Sequence, residues 1–332
     1  MRDHPAPAAA RVTVAAPARL HLGFLDPGGG LGRRFASIGL AIAELGTRIT
    51  IRTAASAQIE GAERTRVEPH LETMRRHLRL SGAHSAKIEQ TVPAHAGLGS
   101  GTQVALAIAA GMRRLHDLPL DLSGDAVRLG RGGRSGIGIG VFDRGGLILD
   151  GGRGPATTPP PVIARLPFPP QWRIVLVLDP SRTGVHGPEE GAAFAALPPF
   201  PEQEAAHHCR LILMQALPAV AEGDLASFGA AIRELQSRVG DYFAPIQGGS
   251  RFTSPDVAAA LARLEQAGAH GIGQSSWGPT GFAFASSAEE AARLVALLRE
   301  DARLRTLDIR ACSGLNRGAQ IEVHPALDSR SR

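Results

Sequence analysis

Apolar positions alternate with polar ones along residues 11–24, where Val12 and Val14 set a period of two that Leu20, Leu22 and Phe24 continue past Pro17. That spacing predicts a strand whose other face carries Arg19, His21 and Gly23. Asp26-Pro27-Gly28-Gly29-Gly30 reads as a turn, and strands are expected at 37–43, 47–52, 86–92 and 146–150. Helical periodicity marks 68–80, which Gly82 ends, then 104–116 and 121–131. The second half opens on a buried-looking strand at 173–178. It continues with helices at 202–217, 224–238, 255–266 and 288–299, and strands at 282–285, 305–311 and 319–323. Strands and helices mixed in this order predict an α+β protein in two halves, 11–165 and 166–325, joined through the Gly- and Pro-rich stretches 151–161 and 167–170.

Composition narrows the class. A chain of 332 residues, 43% apolar and 20% charged, can build two ordinary cores. Aromatic residues make up only 4%, so those cores rest on aliphatic side chains. Lys87 is the only lysine, so the net charge of +5 comes from arginine, and chemistry that needs a Schiff-base or P-loop lysine is nearly excluded. Arginine scattered along the chain suits small anionic ligands. Without basic runs interleaved with aromatics, nucleic acid is not an expected partner. Cys209 and Cys312 are far apart with no CxxC, which points to a reducing cytoplasm. His207-His208-Cys209 does not read as a metal site, because helix neighbours point in different directions. The first ten residues form no long apolar segment, so neither a leader nor a membrane anchor is expected, and they read as a frayed tail.

The candidate chemistry lies in glycine-rich stretches. Gly97-Leu98-Gly99-Ser100-Gly101-Thr102-Gln103 leaves a strand and enters a helix of small residues. Glycines permit a tight turn and close approach, while the N–H groups of a helix start form an anion site suited to phosphate or pyrophosphate. Ser100 or Thr102 is the expected cap. Gly28 to Gly32 lacks the βαβ context of a dinucleotide loop. A second stretch, 132–140, carries Arg134 and Ser135, with Ser135 placed to cap the helix after it. A third, 271–281, carries Gln274, Ser275, Ser276 and Trp277.

With these residues placed, the chain resembles the GHMP kinase superfamily through Pro93-x-x-x-Gly97-Leu98-Gly99-Ser100 and the Gly273 stretch. Within it, four stretches in order resemble the β-ribofuranosylaminobenzene 5′-phosphate synthase family: Arg19 to Phe24, Gly97 to Gln103, Gly130 to Gly138, and Gly273 to Thr280. The resemblance implies an N-terminal half like the second domain of ribosomal protein S5 and a ferredoxin-like C-terminal half. It also implies a reaction in which 4-aminobenzoate or 4-hydroxybenzoate attacks C1 of phosphoribosyl pyrophosphate through its ring carbon. Pyrophosphate and CO₂ leave, and magnesium is expected with the pyrophosphate.

Where a GHMP kinase has a lysine near its first motif, this chain has Arg19. Where it has an aspartate after Ser-Gly-Ile, this chain has Gly138. The phosphate cradle is thus kept without the parts for phosphoryl transfer. An ATP-dependent small-molecule kinase and a non-catalytic phosphometabolite-binding protein stand as the alternatives. Phosphate binding is expected from Gly97 to Gln103, and Arg19, His21 and Arg134 are the catalytic candidates. Ser135 and Gln274 to Trp277 are expected to wall the substrate pocket, and so are Asp241, Tyr242, Phe243 and Gln247 to Gly249. Asp26 and Asp143 are candidates for a water-mediated touch on magnesium. A homodimer is the default assembly.

Overall fold

The computed structural model describes residues 10–184 and 187–325, so nearly all of the expected N-terminal tail lies outside the described residues. β1 (Arg11–Asp26) and β2 (Phe35–Ala54) pair antiparallel and form the spine of a seven-stranded sheet. The segments 37–43 and 47–52, expected as two strands, are one. Pro17 faces Gly46 while Ala18 faces Ile42, so the intervening residues of β2 bulge. A bulge absorbs extra residues without ending a strand, and a proline is tolerated there because no ladder N–H is required.

β3 (Gln58–Glu60), α1 (Arg64–His77) and β4 (Ala83–Gln90) follow, with β4 pairing along β2. α2 (Ser100–Leu115) packs its Val104, Leu106, Ile108 and Met112 with Val14, Ile49 and Ile51 of the sheet. Gly111 lets the helix come close, since a Cβ there would sit 2.8 Å from Ile51 Cδ1. α3 (Leu122–Arg128), capped by the Asp121 carboxylate, and α4 (Ile137–Arg144) lead to β5 (Leu147–Asp150) and β6 (Val162–Leu166). β5 pairs with the first part of β2.

The second half begins at β7 (Arg173–Leu178), followed by α5 (Pro188–Ala196) and α6 (Glu202–Leu211). A π-helical turn (Ile212–Ala216) joins α6 to α7 (Leu217–Glu222), and α8 (Leu225–Phe243) and α9 (Pro255–Gln266) come next. β8 (His270–Gln274) and β9 (Thr280–Ala285) form a hairpin, and α10 (Ala288–Arg299) leads to β10 (Asp308–Ser313). The antiparallel order β10-β7-β9-β8 is the 4-1-3-2 arrangement of a ferredoxin-like fold, as the resemblance implied. The last strand, β11 (Gln320–His324), returns to pair with β1, so the expected second half gives its end to the first sheet.

One apolar core ties the halves together. Phe228, Ile232 and Leu235 of α8 cluster with Leu20 and Leu22 of β1 and with Leu176, Phe282 and Phe284 of the second sheet. Each such buried side chain contributes about 1.5–3 kcal/mol, which fixes β1 firmly relative to the β8–β9 hairpin. The cleft lies along that seam.

Candidate active site

The loop before α2 is clamped between β1 and the β8–β9 hairpin. Arg19 donates from its backbone N–H to Leu98 O at 3.0 Å and from Nη1 to Gly97 O at 2.7 Å. The same Gly97 carbonyl accepts the Ser275 hydroxyl at 2.8 Å, while Ser275 Oγ accepts the His21 N–H at 3.0 Å. Thr280 Oγ1 donates to Ala96 O at 2.6 Å. A Cβ at Gly278 would overlap Ala96 and Gly97, and one at Gly97 would overlap the Ser275 carbonyl. Two glycine motifs distant in sequence therefore meet backbone to backbone, which only residues without a Cβ allow.

The helix begins earlier than the sequence predicts. Gly99, in the left-handed region at φ 78, is the N-cap, and neither Ser100 nor Thr102 caps it with a side chain. Thr102 and Gln103 consequently sit within the first turn, and their N–H groups donate to Gly99 O at 3.1 and 3.2 Å. This corrects the expected cradle of Gly97 to Gln103. Gly99, Ser100 and Gly101 keep N–H groups with no acceptor among the described residues, at the positive end of the dipole. Leu98 is buried in the core, and Gln103 is buried with its amide nitrogen on Gly138 O at 2.9 Å.

These elements open into a cleft of about 670 Å³. The expected Arg19, His21, Arg134, Ser135, Ser276 and Trp277 all line it, together with Gly97, Gly99, Ser100, Gly101 and Thr102. Arg66, Arg131, Arg153 and His95 line it too, and sequence reasoning missed all four. Five guanidiniums (Arg19, Arg66, Arg131, Arg134 and Arg153) thus share one cleft, and no carboxylate is among its described lining residues. Burial, and secondarily Arg19, lower the His21 pKa well below the ordinary histidine value, so its imidazole is neutral at pH 7. His21 Nε2 and Trp277 Nε1 are both buried without a hydrogen-bond partner among the described residues. His70 is brought down to about 4, first by burial, then by Arg131 and Arg66.

Phe24 and Trp277 form one wall of the cleft, and further rings back Trp277 from behind. Trp277 stacks on Phe194 with centroids 4.6 Å apart, and the Arg134 guanidinium lies 5.5 Å from the centre of the Phe194 ring. Phe243 meets Trp277 edge-on, and His21 packs 4.5 Å from Phe24. The second glycine loop, which carries Arg134, hangs on Asp150, a residue the sequence did not flag. Asp150 is fully buried and accepts from Gly136 N and Gly152 N at 2.9 Å each, from Ser135 Oγ at 3.1 Å and from Ser37 N at 3.2 Å. Burial raises its pKa, and the four donors act against that. Ser135 Oγ also accepts from Ile137 N at 3.2 Å, but the N-cap of α4 is Gly136, one residue later than the expected Ser135.

Other expected residues lie outside the cleft or work behind it. Ser275 is buried as a strut of the clamp. Gln274 supports the wall: its Oε1 accepts from Thr253 N at 2.8 Å, and its Nε2 donates to Gln247 Oε1 at 3.0 Å and to Ser276 O at 3.1 Å. Phe243 and Gln247 border a void of about 20 Å³ beside His21, room for a single water. Tyr242 donates to Pro198 O, and Asp241 pairs with Arg251 at the surface. Asp26 lines a neighbouring cavity of about 840 Å³, where its Oδ1 accepts the Gly28 and Gly29 N–H groups at 3.0 and 2.8 Å. Asp143 pairs with Arg144 on the surface. Both magnesium candidates are therefore misplaced. Among the described residues no three His, Cys, Asp or Glu side chains converge, and an arginine-lined cleft does not fit a metal held by the protein. In the His207-His208-Cys209 run, His207 meets Glu234, His208 Nδ1 meets Leu25 O, and Cys209 is exposed, which agrees with a non-metal reading.

The chain matches the GHMP kinases N terminal domain at 66–143 and the GHMP kinases C terminal domain at 216–303. It is 32% identical to the beta-ribofuranosylphenol 5′-phosphate synthase of Archaeoglobus fulgidus, covering 92% of this chain and 98% of that protein. Identity to the protein of the same name from Methanothermobacter thermautotrophicus is 31%, over 80% and 86% of the two chains. Among solved structures, a homoserine kinase from Cytophaga hutchinsonii superposes with a TM-score of 0.66 at 16% identity, covering 94% of this chain and 98% of that one. A mevalonate diphosphate decarboxylase from Staphylococcus aureus gives the same TM-score and coverage at 17% identity. At those identities the structures establish the fold alone. No helix among the described residues is long and apolar enough to cross a membrane.

Proposed function

We propose a function from one premise: this chain belongs to the beta-ribofuranosylphenol 5′-phosphate synthase family. Its reaction is decarboxylative phosphoribosyl transfer, in which an aromatic acid displaces pyrophosphate from phosphoribosyl pyrophosphate and loses CO₂. The relatives' name specifies a phenol, so 4-hydroxybenzoate is the acceptor we favour over 4-aminobenzoate.

The observation that carries this reading is the cleft itself, which joins an open helix start and five arginines to an aromatic wall and has no carboxylate in its described lining. The diphosphate sits on the Gly99 and Ser100 N–H groups beside Arg19, whose side chain packs against Gly99. As the C1–O bond breaks, negative charge grows on the leaving oxygens, and these fixed donors stabilise it more than they stabilise the bound substrate. The acceptor ring lies against Phe24 and Trp277, with its carboxylate toward Arg134. Neutral His21 offers its unpartnered nitrogen to the para hydroxyl. That hydroxyl pushes electron density to the carbon bearing the carboxylate, which attacks C1. The carbon–carboxylate bond then breaks, its electron pair restores aromaticity, and CO₂ departs. No base is needed to remove a ring proton, so positioning and electrostatics are the protein's contribution.

Magnesium would enter on the diphosphate oxygens, where it supplies further positive charge. Two unpaired cysteines suit a cytoplasmic enzyme, and a twofold dimer is the assembly we expect. A kinase reading lacks a carboxylate to assist a hydroxyl. The position of the kinase aspartate is Gly138, where a Cβ would already come within 2.9 Å of Thr102 Cγ2. The test is release of CO₂ from carboxyl-labelled 4-hydroxybenzoate. The expected result is release that depends on phosphoribosyl pyrophosphate; no release with either 4-hydroxybenzoate or 4-aminobenzoate contradicts the reading.

A further inference from the structure

Arg66, in the first turn of α1, and Arg131, after α3, reach the start of α2 from elements that contribute nothing to the aromatic wall. A Cβ on Gly101 would lie 2.8 Å from both Arg66 Nη2 and Arg131 Nη1, so the two guanidiniums occupy the space that a side chain there would fill. Arg66 has one carboxylate partner, Glu63 Oε2 at 2.6 Å. Arg131 Nε is buried and has no partner. Two cations beside a helix N-terminus raise one another's energy unless an anion comes between them. Burial and then Arg66 lower the Arg131 pKa, and His70 next to them is kept neutral at pH 7, both in keeping with strong positive potential at this point.

We propose that Arg66 and Arg131 form a second phosphoryl subsite, distinct from the seat made by Arg19 and the glycine loop, and that it holds the 5′-phosphate that stays on the sugar. The ligand's identity rests on the phosphoribosyl-transfer reading. The acceptor ring must stand against the wall, which places C1 and its diphosphate near Arg19 and Gly99, where a Cβ would sit 3.1 Å from Arg19 Nε. The other end of the furanose then points away from the wall, toward the paired guanidiniums. A dianionic phosphate matches two forked donors better than a single cation would. An arginine pair kept for the fold would be expected to have its own carboxylates, as Arg113 has elsewhere in this chain.

Calorimetric titration of the full-length protein with ribose 5-phosphate and, separately, inorganic pyrophosphate tests the assignment. In Arg66→Gln and Arg131→Gln, affinity for ribose 5-phosphate should fall at least tenfold while affinity for pyrophosphate changes less than threefold. Arg19→Gln should show the reverse. Equal losses for both probes would assign the pair to the leaving group and overturn the proposal. An unchanged ribose 5-phosphate affinity, or no binding of that probe by the wild type, would overturn it as well. Arg66 is half-exposed on a helix surface, so Arg66→Gln decides the question if Arg131→Gln fails to fold. Failure of the reaction reading shows up separately, as absent CO₂ release by a wild type that still discriminates the probes.

Discussion

The two ends of α2 carry the same cation in opposite circumstances. At its C-terminal end Arg113 is buried and fully engaged, with Nε and Nη2 on the two oxygens of Asp125 and Nη1 on Pro119 O at 3.1 Å. At its N-terminal end Arg19, Arg66 and Arg131 crowd a helix start that faces an open cleft, and Glu63 is the one carboxylate bonded to Arg66. Arginine at the far end completes the fold, whereas at the near end Arg66 and Arg131 face the cleft with Glu63 as their one bonded carboxylate among the described residues. Composition cannot separate the two, because the distinction lies in where the counter-charge comes from.

This contrast can be tested by substitution. Arg113→Met leaves Asp125 buried beside only the partly exposed Arg128, and should cost about 3–5 kcal/mol in a denaturant titration. Ligand affinity in the protein that remains folded should be unchanged. Arg19→Ala should lower kcat/KM by about 10²–10³, the cost of losing one donor from a developing anion, and cost only about 1–2 kcal/mol of stability through the lost bond to Gly97 O. If Arg19→Ala lost stability as Arg113→Met does, the division of roles would fail.

Asp150→Asn tests the loop that carries Arg134. An amide replaces one acceptor oxygen with a donor and leaves buried N–H groups unpaired, a loss of about 1–3 kcal/mol. Turnover should fall through a higher KM for the aromatic acid. The smallest effect concerns pH. His84 and His116 stand nitrogen to nitrogen at 2.8 Å near the C-terminal end of α2, and burial, then His116 and Arg75, bring His84 down to about 4. The folded value is below the unfolded one, so the unfolded chain binds more protons between them, and stability falls as pH drops from 6.5 toward 4. His84's share of the loss between pH 7 and pH 5.5 should be about 1 kcal/mol by chemical denaturation, and His84→Phe should remove that share while the loss due to His21 and His70 persists.

Much of this architecture was legible because it follows local rules. The strand at 173–178 and the helices at 255–266 and 288–299 appear at their expected positions, each bounded by a turn, a proline or a serine cap. The joining of 37–43 to 47–52 was hidden because a bulge leaves no local mark once alternation restarts. The return of β11 to β1 was hidden because pairing between chain ends is set by the tertiary fold. In the site, Arg19, His21, Arg134 and Trp277 were found through motifs. Arg131 stands inside the Gly130 to Gly138 stretch without having been singled out, Arg66 and Arg153 belong to no motif, and only folding gathers the three. Asp150 closed a short apolar strand and gave no sign that four donors converge on it. The helix start moved from 104 to Ser100 because Gly99 takes the N-cap, which bonds the Thr102 and Gln103 N–H groups internally and removes them from the expected cradle.

In the proposed reaction the cationic start of α2 grips a diphosphate leaving sugar carbon and transfers no phosphoryl group. Phosphorus NMR of the protein with phosphoribosyl pyrophosphate and 4-hydroxybenzoate tests this directly. The account predicts that the diphosphate resonances convert to free pyrophosphate while the 5′-phosphate stays on a new C-riboside. An unchanged spectrum in that mixture, together with ATP turning into ADP when an alcohol is supplied, would contradict it.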